Sequence, residues 1–169
     1  VVTQDPLADD ADAITIARAV REGRVSAAEV VNHVLVRIAL RDTTLNAFTV
    51  VCADRARDAA RRLDDSKLSQ RLSGLQGIGE ELISIVDARR ARAIELPGAP
   101  QREPAGPLAG VAFAVKAQIA VAGITTTAGS KLHVDDPPAK HDAVAVARLE
   151  RAGAICVGVT NMDEFGMGG

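Results

Sequence analysis

Lys116 directly follows the continuous apolar run Val111-Ala112-Phe113-Ala114-Val115. A lysine at the end of a buried strand can enter low-dielectric surroundings, which favour the neutral amine and let it accept a proton. Strand ends in α/β folds are also where ligands bind. The plainer alternative is that Lys116 marks the strand's exit into solvent. Thr125, Thr126, Thr127, Gly129 and Ser130 form a hydroxyl-rich stretch suited to lining a pocket, or simply to satisfying backbone groups in a loop. Ser130 lacks a Gly-x-Ser-x-Gly setting, so a nucleophile elbow is not supported. Asn161, Met162, Asp163 and Glu164 follow a second apolar run, where acidic residues can line a site or open a helix.

Other candidates read as structural. His33, His133 and His141 show no metal-ligand spacing. Gly74, Gly77 and Gly79 lack the preceding strand and the following Lys-Ser/Thr of a phosphate loop. Arg89, Arg90 and Arg92 read as a solvated helix face. Cys52 and Cys156 lie 104 positions apart, outside any Cys-x-x-Cys pair, and read as free thiols in a reducing compartment.

The elements that position these residues fall into two stretches. Residues 1–96 read as mainly helical, 97–107 as a Pro/Gly linker, and 108–169 as strand-helix-strand. The spacing of Ile16, Ala17 and Val20 predicts a helix over 12–22, stopped by Gly23. Ser26 and Glu29 form a capping box that opens a second helix carrying Val31, Val34, Leu35 and Ile38. Leu45-Asn46-Ala47-Phe48 reads as an extended link, and a third, highly charged helix covers 52–63. Residues 64–79 turn polar and glycine-containing, and a fourth helix is predicted over 80–94. Residues 111–115 and 154–159 read as strands buried on both faces. Asp142 is placed to cap the intervening helix over 142–152, and strand, helix, strand predicts a parallel, right-handed crossover.

Composition narrows the function classes. A net charge of −2 gives no nucleic-acid footprint and no polybasic membrane patch. Aromatics at 2%, with no Trp or Tyr, argue against base stacking or an aromatic cage. No apolar run approaches the ~20 residues of a membrane span, and the N-terminus lacks signal-peptide regions, so the expected location is cytoplasmic.

Two stretches resemble the amidase-signature family in order and in detail. The first runs from Gly106-Pro107-Leu108-Ala109-Gly110 through Lys116 to Gly129-Ser130; the second runs from Asp142 through Gly153-Ala154-Ile155 to Asn161-Met162-Asp163-Glu164-Phe165-Gly166-Met167-Gly168. Residues 86–92 and Leu96-Pro97 resemble the carboxybiuret and allophanate hydrolase type. Thr160 to Phe165 is shared with the A-subunit of the glutamyl-tRNA amidotransferase, and residues 66–85 look like an insertion relative to both.

The resemblance implies an α/β fold, of which this chain supplies the N-terminal helices and the first strands of a mixed sheet, incomplete by itself. It also implies hydrolysis of a linear amide or urea-like C–N bond by a serine nucleophile, a bridging serine in a cis peptide, and a lysine. Lys116 matches that lysine, as a neutral general base acting through the bridging serine. The glycine-serine segment that holds both serines and the oxyanion donors does not occur in these residues. The expectation is therefore an N-terminal portion that is inactive alone. Ala117 stands where the family has Asp or Asn, and Ala120 where it has Asp. The family needs no metal or organic cofactor and often dimerises, so no cofactor, a small amide substrate and a homodimer are expected. A non-catalytic remnant or interaction module built from the same parts is the other reading.

Overall fold

The computed structural model describes residues 5–73 and 106–168. Helix α1, Ala13–Glu22, is opened by Asp12, whose carboxylate accepts from the Thr15 N–H at 2.6 Å. Gly23 ends it in the left-handed region. Helix α2, Ala27–Leu45, carries the expected capping box: Ser26 Oγ accepts from the Glu29 N–H at 3.0 Å, and Glu29 accepts from the Ser26 N–H at 2.8 Å. Strand β1 spans Phe48–Val51, helix α3 Ala53–Ser73, strand β2 Ala112–Lys116, helix α4 Val144–Arg151 and strand β3 Ile155–Thr160. Single 3-10 turns lie at Lys131–His133 and Glu164–Gly166.

The described strands form one mixed sheet in the order β1-β3-β2. β3 is central, antiparallel to β1 and parallel to β2. A register shift sets Phe113 opposite Cys156 but Ala114 opposite Gly158, so Val157 is the extra residue of a bulge. Side-chain alternation, shifted by that bulge, divides β3 between two cores. Ile155 and Val157 join a cluster built from α1, α2 and α3, with Val20, Val30, Val31, Ala56 and Ala60. Cys156 and Val159 join a second cluster with Val115, Ala117, Val121 and Val146. The sheet is thus covered on both faces, as an α/β layer arrangement requires.

Several expectations are corrected. The link at 45–48 divides: Leu45 still belongs to α2, Asn46 ends the helix with φ 47°, and Phe48 begins β1. The Asp42 carboxylate makes this turn by accepting from the N–H groups of Ala47 and Phe48 at 2.6 and 3.2 Å. The third helix continues to Ser73 rather than stopping at 63. Asp64 there accepts from the otherwise free N–H groups of Ala27 and Ala28, at 2.9 and 3.0 Å, tying α3 to the start of α2. β2 is not buried on both faces: Val115 is buried, but Ala114 and Lys116 are exposed, because β2 lies at the edge of the described sheet. Helix α4 starts at Val144, and Ala143 at its N-cap makes no side-chain bond. The helix predicted over 80–94, and the linker up to residue 105, lie outside the described residues.

Candidate functional site

The parallel strands β2 and β3 end side by side, with Lys116 opposite Thr160. The Thr160 hydroxyl donates to the Val115 carbonyl at 3.3 Å, and the Ala117 N–H donates to the Thr160 carbonyl at 3.1 Å. The chain then turns back over this end. The Ala128 N–H donates to the Ala117 carbonyl at 2.9 Å, and the Phe165 N–H donates to the Ala128 carbonyl at 2.8 Å. Three segments singled out in the sequence, around 116, 125–130 and 161–165, therefore meet at the carboxyl end of the parallel pair, the usual place for a ligand in such a sheet.

The loop's shape depends on close backbone approach. Gly129 has φ 72°, and a Cβ there would stand 2.7 Å from the Met162 carbonyl oxygen. Ala128 and Phe165 also have positive φ, 50° and 55°, at the two ends of the hydrogen bond that joins them. Non-glycine residues hold such angles only where the surroundings enforce them.

Ser130 is 2% exposed. Its hydroxyl donates to Glu164 Oε1 at 2.7 Å and accepts from the Leu132 N–H at 3.2 Å. It is a strut between the hydroxyl-rich loop and the acidic segment, in keeping with the absence of a nucleophile setting around it. Glu164 is thus engaged by Ser130, while Asn161 Oδ1 accepts from the Met162 N–H at 2.9 Å. Thr125 donates to the Asp136 carbonyl at 3.0 Å. Lys116 itself is exposed on the edge strand, and the low-dielectric surroundings expected for it are not found among the described residues.

Of the histidines, His133 reaches the edge of this site. His133 pairs with Asp136 at 2.7 Å and meets the Phe165 ring edge-on at 5.9 Å. His33 lies on α2, with a buried Nε2 that has no hydrogen-bond partner among the described residues. Among the described residues no group of His, Cys, Asp and Glu is arranged to hold a metal ion, and no helix is long and apolar enough to cross a membrane.

Sequence reasoning missed one charged cluster. Arg55 Nη2 of α3 donates to Asp142 Oδ2 at 2.7 Å and to Glu150 Oε1 at 2.9 Å. Asp142 also accepts from the Ala122 N–H at 2.8 Å. Partial burial works against the Arg55 charge, but hydrogen bonds to Asp142 and Glu150 outweigh it and raise its pKa. The cluster clamps α3 to α4 and to the loop that follows β2. Its members are 87 and 95 residues apart, so no local pattern announces it.

The family model described as Amidase matches residues 80–169. The chain is 37% identical over 155 residues to AtzE of Pseudomonas sp. strain ADP, a component of 1-carboxybiuret hydrolase, covering 92% of this chain and 27% of that protein. It is 36% identical over 147 residues to the A-subunit of glutamyl-tRNA(Gln) amidotransferase from Synechococcus sp. strain CC9311, covering 87% of this chain and 23% of that protein. A solved structure of a vestigial protein complex, described as revealing the evolutionary origins of an s-triazine catabolic enzyme, superposes with a TM-score of 0.65 at 36% identity. That match covers 91% of this chain and 27% of the other. The chain therefore spans about a quarter of the length of the curated relatives it matches.

Proposed function

Because the chain belongs to the amidase family, we propose that it is the lysine-bearing N-terminal portion of one amidase domain, in a hydrolase that cleaves a linear amide or urea-like C–N bond. The observation that carries this is the convergence of Lys116, the 125–130 loop and the 161–165 segment at the end of β2 and β3. In this reading the Lys116 amine accepts a proton from a bridging serine, which in turn deprotonates the attacking serine. The acyl-enzyme is released by water, and the proton returns to the leaving nitrogen. Both serines and the oxyanion donors come from sequence outside these residues, and that sequence also covers the exposed side of β2 and encloses Lys116. The substrate is a small amide of the carboxybiuret type, with glutamyl-tRNA amidotransferase chemistry as the other subgroup. The protein works in the cytoplasm, as a homodimer, without a cofactor.

One observation favours a non-catalytic descendant instead. Ala117 is 2% exposed and packs with Val115, Val121 and Val159, so the position after the lysine is an apolar core position here. The two readings separate in one experiment. The 169-residue chain, and the longest reading frame that contains it, are assayed on a panel of small amides and biuret-like compounds. The expected result is no turnover by the chain alone, turnover by the longer product, and a loss of at least ~10²-fold in kcat on Lys116→Ala. Turnover by the 169 residues alone that Lys116→Ala abolishes would overturn the requirement for serines from outside these residues. A longer product that binds but never turns over the panel would favour the non-catalytic reading.

A further inference from the structure

The charged cluster on Arg55 reaches the candidate site through one short loop. Residues 117–124 lead from Lys116 to the hydroxyl-rich stretch, and hydrogen bonds lace them to the segment just before α4. The Ala122 N–H donates to Asp142 Oδ1 at 2.8 Å, and the Ala143 N–H to the Ala120 carbonyl at 2.8 Å. The Gly123 N–H donates to the Ala139 carbonyl at 2.9 Å, and the Ala139 N–H to the Ile124 carbonyl at 3.0 Å. At its start the loop is bound to the site itself, because the Ile119 N–H donates to the Lys116 carbonyl at 2.8 Å and the Ala117 carbonyl accepts from Ala128. Arg55 holds the laced segment in turn. Asp142 Oδ2, the oxygen that Ala122 does not use, accepts from Arg55 Nη2, and the same nitrogen reaches both Glu150 oxygens, at 2.9 and 3.1 Å. Arg55 belongs to the first turn of α3, whose Ala56 and Ala60 lie in the first core, whereas α4 brings Val146 to the second.

We propose that Arg55 is a positioning residue for the hydrolysis: through Asp142 it sets where the 117–124 loop, and with it Lys116 and the 125–127 hydroxyls, stand at the end of β2 and β3. This rests on the reading of the chain as part of an amide hydrolase. Arg55 touches no reacting group in this role and acts through two hydrogen bonds in series, Arg55 to Asp142 and Ala122 to Asp142. The side chains of Arg55, Asp142 and Glu150 are only 27%, 20% and 29% exposed. Enclosing such charges gains little stability over apolar groups of the same volume. What the arrangement supplies is a fixed geometry, a planar guanidinium held between two carboxylates. A lysine base has to stand within hydrogen-bond reach of the group it deprotonates. Misplacement by about 1 Å costs on the order of 10²-fold in rate. Loss of Arg55 is therefore felt more in kcat than in KM.

The test uses the longest reading frame that contains these residues, as the unaltered protein, Arg55→Gln and Arg55→Lys. Amide deuterium exchange, followed peptide by peptide, and turnover of the amide panel are measured on the same preparations. For Arg55→Gln the expected result is exchange at least ~10-fold faster in peptides spanning 117–128, with α1 and α2 peptides unchanged. Its kcat falls by roughly 10- to 10²-fold while KM stays within about 3-fold. Arg55→Lys, which keeps the charge, recovers part of both. Because Arg55→Gln can fail to fold, Asp142→Asn provides a second variant: it keeps the side chain's volume, removes its charge, and gives the same pattern at smaller amplitude. Exchange that rises equally in all peptides would overturn the proposal, since Arg55 would then serve only the stability of the whole. So would an unchanged 117–128 region, or local loosening with kcat intact. An unaltered product that turns over no amide sinks the hydrolase reading instead, and the exchange pattern then decides alone whether Arg55 governs the loop.

Discussion

At Asp142 a residue suited to one task performs another. Its type and position before an apolar helix read as an N-cap, yet its two oxygens are taken by the Ala122 N–H and Arg55. Distant partners settled the matter, and those are invisible to local pattern. Ser26 and Glu29 were legible because a capping box is complete within four residues. Removing one partner of a half-buried pair leaves the other uncompensated, so Arg55→Ala is expected to lower stability by about 1–3 kcal/mol in urea unfolding. The acid limb carries a second expectation. Burial pushes the Asp142 carboxyl up, but Arg55 and the Ala122 N–H outweigh it and hold the group below its ordinary 3.8. A folded-state value below the unfolded one means the contribution is whole above about pH 4 and is lost as pH falls through the folded value. Asp142→Asn should therefore lower stability at neutral pH and flatten its decline below about pH 4, measured as unfolding midpoints across pH.

Among the elements, the two apolar runs read alike and fold differently. Residues 154–159 became the central strand, buried along nearly its whole length, whereas 111–115 became half of an edge. A run of apolar residues reports that a strand is wanted by a core; its place in the sheet is decided by which other strands pair with it. The chain turns polar after residue 63, yet Asp64 has a fixed partner at the start of α2 and the helix persists to Ser73. The glycine at the end of α4 is tested directly. Gly153 has φ 93°, its carbonyl accepts from the Gly110 N–H at 2.9 Å, and a Cβ would lie 3.0 Å from the Ala109 Cα. Gly153→Ala combines left-handed strain with backbone crowding and is expected to cost about 1–3 kcal/mol, read as a lower thermal midpoint.

At the scale of the molecule, the site was legible as three separate segments but not as a junction, because hydrogen bonds such as Phe165 to Ala128 join residues far apart in sequence. The same three strands leave a groove of about 340 Å³ between α2 and the sheet, lined by Val34, Ile38, Leu45, Phe48 and Phe113, with Arg37 and Arg41 at its rim. Val36, Leu40, Val50 and Val51 are exposed besides. Unpaired edges and open apolar surface favour association. Gel filtration of the 169-residue chain should therefore show self-association or a broad profile, and thermal unfolding should be weakly cooperative. A sharp, concentration-independent monomer transition would count against this. Finally, the strand order β1-β3-β2 has a consequence for how the polypeptide is made. Among the described strands the middle one comes last in the chain, so β1 and β2 lack this shared partner until Ile155–Thr160 has been synthesised. Until then α1, α2 and α3 can form while β1 and β2 wait for β3, and those waiting strands are natural targets of a chaperone.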